Sequence, residues 1–132
     1  MSAVPNNIVT TTKEVEQPDT MLLPLAQYGL IATTPMSPTN ASNVTILEFF
    51  LRTNPYIKMV EPWYALTGAG AGGFDRMVVY RRDPDALMLV IPQEFEQFPP
   101  QQRGLEFLVP CHARCGGVQT PYPLSICYAD HI

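Results

Sequence analysis

Apolar residues recur along this chain with two different periods, and each regular stretch predicts an element. From Leu22 to Ala32 they return at three- and four-residue steps. Pro24 there suits a first helical position, where no N–H is needed, so a short buried helix is expected. Val44, Leu47 and Leu51, with Phe50 beside them, repeat that spacing. Thr45 followed by Glu48 makes a capping box at the head of this second helix, and Asn54-Pro55 stops it. Ile57 to Trp63 reads as a short strand ended by proline. Arg76 to Arg82 is rich in Met, Val and Tyr, and Leu87 to Ile91 is apolar throughout. Between them Arg82-Asp83-Pro84-Asp85 puts proline at the second position of a turn, so the two runs are expected to pair as a hairpin at the centre of the core.

The period of two is cleanest near the C-terminus. Leu105, Phe107, Val109, Cys111, Ala113 and Cys115 fall on one face and Glu106, His112 and Arg114 on the other, which predicts a strand with one buried and one wet face. Gly116-Gly117 reads as a two-residue hairpin turn, with Val118, Thr120, Tyr122, Leu124, Ile126 and Tyr128 as the returning face. Pro121 and Pro123 share a parity, which places that strand at a sheet edge or a bulge. The remaining stretches lack a period. Met1 to Thr20 is dominated by Asn, Thr and Glu and is expected to be a loose lead-in. Thr33 to Asn40 and Tyr64 to Gly73 read as loops, and the proline- and glutamine-rich Pro92 to Gly104 reads as a crossing between two parts. No internal repeat is visible. The pattern is α+β: a mixed or antiparallel sheet with two or three short flanking helices and a C-terminal antiparallel β-hairpin.

Composition narrows the picture in three ways. A chain of 132 residues is one domain or one and a half, long enough to bury roughly 70% of its unfolded surface. Its 14 prolines and 8 glycines argue against a helical bundle. A net charge of −4 gives no broad footprint for nucleic acid, and no apolar run approaches the roughly 18 residues of a membrane span, so neither partner is expected. Cys111, Cys115 and Cys127 make an odd count behind a start with no apolar leader, which reads as reduced thiols in an intracellular protein.

Candidate chemistry is thin. Gly68, Gly70 and Gly73 spell G-x-G-x-x-G, but a dinucleotide fingerprint needs that loop to open a helix, and here it leads into a strand. Cys111, His112, Cys115, Cys127 and His131 contain zinc-type donors, yet strand parity throws His112 away from the two nearby thiols. Buried cysteines acting as small apolar residues are the simpler reading. A nucleophile needs a base within reach, and the histidines are one on a strand face and one next to the C-terminus. Ser125 lies in no G-x-S-x-G elbow. No enzyme, cofactor or metal is expected. Arg76, Arg81, Arg82, Asp83 and Asp85 form the one dense charge cluster, either a solvated hairpin tip or a contact with a neighbouring copy.

Several blocks in fixed order resemble a known family. They are Asp19-Thr20-Met21-Leu22-Leu23-Pro24 with Gln27-Tyr28, Thr45-Ile46-Leu47-Glu48, Gly68-Ala69-Gly70 to Asp75-Arg76-Met77-Val78-Val79-Tyr80, and Pro99-Pro100-Gln101. From about Pro5 to Ile132 the chain resembles the C-terminal half of tailed-bacteriophage major capsid proteins, nearest to a prophage-encoded branch of the Hong Kong 97 fold. The resemblance implies a flexible lead-in over 1–17, an axial domain over 18–98 and a peripheral β-hairpin segment over 99–132. The front half of such proteins, with its arm, extended loop and long spine helix, has no counterpart here. The implied function is that of a shell subunit acting through self-association, in the virion and in the host cytoplasm before assembly. Its partners would be other copies of itself or a full-length capsid protein. The alternative is a capsid-derived binding module that modulates shell assembly.

Overall fold

A computed structural model describes residues 3–37 and 44–132. The end of the loop expected over Thr33 to Asn40 lies outside the described residues. The chain divides into two compact units, residues 1–82 with 122–132 and residues 83–121.

The first unit is built on a four-stranded sheet. Its strands are β1 (Thr20–Leu23), β2 (Met59–Pro62), β3 (Arg76–Tyr80) and β10 (Ile126–Asp130), in the order β10-β3-β1-β2. β1 runs parallel to β2 and antiparallel to β3, and β10 is antiparallel to β3. The register sets Val60, Met21, Val79 and Cys127 side by side across all four strands. Successive strand residues point to opposite faces, so these four share one face, and Ile8 and Phe50 from the helices pack with them into the core.

Helix α3 (Ile46–Thr53) follows the expectation closely: the Thr45 hydroxyl accepts from the Glu48 N–H at 3.3 Å, and Asn54 ends the run. Phe50 is its buried residue, with Leu51 against the core. Helix α2 (Leu25–Thr33) also forms behind Pro24, but it is not the buried helix that its spacing suggests. Leu22 and Leu23 belong to β1, and among the helix residues Tyr28 and Ile31 touch the core while Leu25 and Leu30 stay exposed.

Three other expectations change. The lead-in is largely ordered: α1 (Ala3–Thr11) buries Pro5, Ile8 and Val9. Its Asn, Thr and Val residues are weak helix formers, and the burial of one apolar stripe outweighs that propensity. The helix stops where Lys13 and Glu14 turn left-handed and the Glu14 N–H reaches the Val9 carbonyl at 2.8 Å. Second, the hairpin of Arg76–Arg82 with Leu87–Ile91 does not exist. The turn at Asp83 does form, its carbonyl accepting from Ala86 and Leu87. Both hydrogen-bonding edges of β3 are already taken, by β1 and by β10, which leaves no place for the apolar run that follows.

Third, that run instead begins the second unit, one long interrupted hairpin. β4 (Met88–Val90) pairs with β9 (Gly117–Gln119), β5 (Gln93–Gln97) with β8 (Cys111–Arg114), and β6 (Gln101–Arg103) with β7 (Glu106–Leu108). Its turn is Gly104-Leu105, with Gly104 at a positive φ of 70° that a side chain would resist. Gly116-Gly117, expected as the turn, lies on the returning side where β8 gives way to β9, and the Gly116 N–H reaches the Val90 carbonyl at 2.8 Å. Pro92 to Gly104 forms the outgoing side of this hairpin. The α+β class, with a mixed sheet, flanking helices and an antiparallel hairpin, is what the structure has; the pairing partners are what differ.

Candidate subunit-contact surfaces

The five charged residues singled out from the sequence are not one cluster at a hairpin tip. Arg76, at the start of β3, makes a two-pronged pair with Asp130 of the neighbouring β10, Nε and Nη2 donating at 2.6 and 3.0 Å, and lies 4.5 Å over the Tyr128 ring. Arg81 donates to Glu16 at 3.1 Å. Arg82 donates from its side chain to Glu61 at 3.3 Å and from its backbone N–H to Asp19 at 2.8 Å. The Asp83 carboxylate accepts from the Asp85 N–H at 3.0 Å within the turn, and the Asp85 side chain is exposed. The three arginines thus lean on carboxylates of their own chain that sequence reasoning does not pair with them. The partners sit 54, 65 and 21 residues away, beyond any helical or hairpin spacing.

Asp130 also organises the glycine loop. It accepts from the Ala71 N–H at 3.0 Å, while the Gly68 N–H goes to Asp75 at 3.0 Å and the Gly70 N–H to the Phe74 carbonyl at 2.8 Å. Next to Asp130, His131 stacks on Phe74 with ring centroids 4.1 Å apart. The loop amides that a phosphate would use are turned to the protein's own acceptors, and the loop feeds β3. The Arg76 hydrogen bonds, with that of Ala71, hold the Asp130 carboxyl down at about 2. A carboxylate with a depressed folded pKa stabilises the fold above its unfolded value and loses that contribution as pH falls through the folded one. Asp130→Asn is therefore expected to be less stable than the wild type at neutral pH. The gap should narrow as pH drops from 3.8 toward about 2, as read by urea unfolding at each pH. A gap independent of pH would mean that the charge of Asp130 is not what matters.

The thiols do not gather with the histidines: Cys111 and His112 are successive residues of β8 and point to opposite faces, Cys111 and Cys115 are exposed rather than buried, and Cys127 packs against the core of the first unit. Among the described residues no group of three or more His, Cys, Asp or Glu is placed to hold a metal ion. Among the same residues, no helix is long and apolar enough to cross a membrane.

The most unusual surface is the second unit. Leu89, Ile91, Phe95, Phe98, Phe107, Leu108 and Val118 are all exposed, and Leu105 at the turn is wholly so. The face that its alternation marks for burial, from Leu105 through Cys115, is bare, with Phe107 70% accessible. The pattern asks for a covering layer, and among the described residues none is present. Phe107 and Leu108, neighbours on β7, point to opposite faces, so both sides of the hairpin carry exposed apolar side chains, more than an isolated hairpin keeps in water.

The first unit's sheet with flanking helices and the second unit's hairpin together recur in a virus shell. The chain superposes on one from the capsid of Myoviridae phage XM1 with a TM-score of 0.84 at 16% identity, over 99% of this chain and 44% of that one. The likeness establishes a phage capsid fold, of which this chain spans less than half. The family model described as "Major capsid protein" matches residues 2–132, so the chain belongs to the major capsid protein family. No curated protein matches it.

Proposed function

We propose that the chain is a structural subunit of a phage shell that works by self-association and carries out no chemistry. The observation that carries this reading, beside the family match, is the uncovered apolar face of the 83–121 hairpin. The first unit would take the axial role and the hairpin the peripheral one, with divisions at 82/83 and 121/122, where the chain passes from one compact unit to the other. The subunit would collect in the host cytoplasm before entering the virion. Arg76, Arg81 and Arg82 serve their own chain first, so of the charged group Asp85 is the residue with an exposed side chain left to offer a neighbour. Native mass spectrometry and electron microscopy of the purified chain are expected to show rings, pentamers or hexamers. A strictly monomeric species at all concentrations would overturn autonomous assembly. Because the chain spans 44% of the capsid chain it matches, a second reading is a module that docks on a longer capsid protein. Co-purification with such a protein, in the absence of self-association, would favour it.

A further inference from the structure

We propose that the glycine loop and Arg76 form a binding site for a small carboxylate, which the chain fills with its own Asp130, so that the residues from Asp130 to Ile132 act as a latch that keeps other carboxylates out. The site stands apart from the shell-subunit reading and does not depend on how copies meet.

Three observations carry the assignment. First, the donor set suits a carboxylate. Nε and Nη2 of Arg76 and the N–H of Ala71 place three hydrogen bonds on the two Asp130 oxygens, at 2.6, 3.0 and 3.0 Å. A guanidinium fork matches a flat group with two oxygens, and the loop amide adds a third donor that carries no charge of its own. Gly70 makes the room, since a Cβ there would lie 3.0 Å from the carboxyl carbon and from Oδ1.

Second, the donors are held by contacts in which the Asp130 carboxylate takes no part. The Gly70 N–H closes on the Phe74 carbonyl at 2.8 Å, the Gly73 N–H on the Gly70 carbonyl at 3.1 Å and the Gly68 N–H on the Asp75 carboxylate at 3.0 Å. The Arg76 guanidinium rests over the Tyr128 ring at 4.5 Å. An ion pair that merely ties two strands needs both partners to keep its shape. Here the receiving half keeps its shape with one.

Third, the ligand half sits where the chain opens most easily. Asp130 is the last residue of β10, an edge strand of the sheet, and its register partner Arg76 begins β3. His131, next along, has a φ of 66°, a left-handed value that side chains resist. It is kept there by stacking on the exposed Phe74 ring, and the Gln27 side chain donates to the Ile132 carbonyl at 3.3 Å. Both contacts lie at the surface, so the strand end can fray with little loss and take its carboxylate with it. Opening then bares the Arg76 fork and the Ala71 N–H together.

The test removes the built-in ligand and supplies another. The full chain carrying Asp130→Ala is unfolded with urea at neutral pH in rising acetate, with chloride at matched ionic strength as reference. A ligand that binds only the folded state raises the folding constant, and about 0.5 M acetate is expected to raise it about fivefold or more over chloride. In the wild type, whose site is filled, and in Asp130→Ala combined with Arg76→Ala, the gain should stay below about twofold. If Asp130→Ala is unfolded in buffer, the same gain is read as refolding by acetate, and no refolding would overturn the site. Amide hydrogen exchange needs no variant: the Ala71 N–H of the wild type is expected to exchange about tenfold or more slowly than an open amide. A fast Ala71 amide would overturn the latch. Acetate and chloride acting alike on Asp130→Ala, or acetate acting as strongly on the wild type, would overturn the site, and phosphate as effective as acetate would overturn its preference for a carboxylate.

Discussion

Replacing Met21 by alanine is expected to cost about 2–5 kcal/mol, a large part of the roughly 5–15 kcal/mol that holds a domain together. Met21 is fully buried and central: Val60 lies beside it on β2 and Val79 on β3, and the row continues to Cys127 on β10. Ile8 and Phe50 belong to the same buried cluster, so the cavity would open at the point where sheet and helices share atoms. Collapse around that gap would need several strands to move together, which puts the expected cost toward the upper end of the range. Urea unfolding followed by the fluorescence of Trp63 reads it directly, as a fall in midpoint with an unchanged slope. Met21→Leu, which keeps the volume, should cost less than about 1.5 kcal/mol. Leu22→Ala, half-buried on the other face of the same strand, is the local control. A Met21→Ala chain within about 1 kcal/mol of the wild type would show that this row is not the core.

The elements easiest to read from the sequence are those decided within a few residues. α3 carries its own start and stop in Thr45, Glu48 and Asn54-Pro55, and β3 carries a run of Met, Val and Tyr. Pairing is not legible, because what decides it is occupancy. Nothing near Arg76–Tyr80 announces that Thr20–Leu23 and Ile126–Asp130 will claim both its edges, so the nearest apolar run looks like its partner. The same holds for the turn. Gly116-Gly117 is a better hairpin sequence than Gly104-Leu105, but the pairing of Gln101–Arg103 with Glu106–Leu108 leaves Gly104-Leu105 as the bend. Charge behaves likewise: Arg76, Arg81 and Arg82 are visible, and their carboxylates, distant in sequence, are not. The alternation from Leu105 to Cys115 does mark a strand face that wants cover. Among the described residues of one copy nothing supplies it, and for that reason the pattern bears on association more than on folding.

The glycine loop gives the other large effect, through a contrast between two glycines. Gly70→Ala is expected to destabilise the chain by about 1–3 kcal/mol. Gly70 has an ordinary φ of −80°, so backbone strain is not the reason. A methyl group there would lie 2.8 Å from the Phe74 carbonyl oxygen and 3.0 Å from the Asp130 carboxyl. That carbonyl accepts the N–H of Gly70 itself, so relieving the clash means opening the bond that closes the loop. It also pushes away the carboxylate that Arg76 and the Ala71 N–H hold, and the Asp130 pKa should rise from about 2 toward its ordinary value of 3.8. At Gly29, inside α2, an added methyl group would meet nothing within 4 Å, so Gly29→Ala should stabilise by about 0.5–1 kcal/mol through the entropy of the unfolded chain. The same chemical change thus carries opposite signs at two positions, and urea midpoints for both variants test it. Equal stability of Gly70→Ala and the wild type would show that the loop is not held against Phe74 and Asp130. A loss at both positions would show that α2 is set by a contact its exposed face does not reveal.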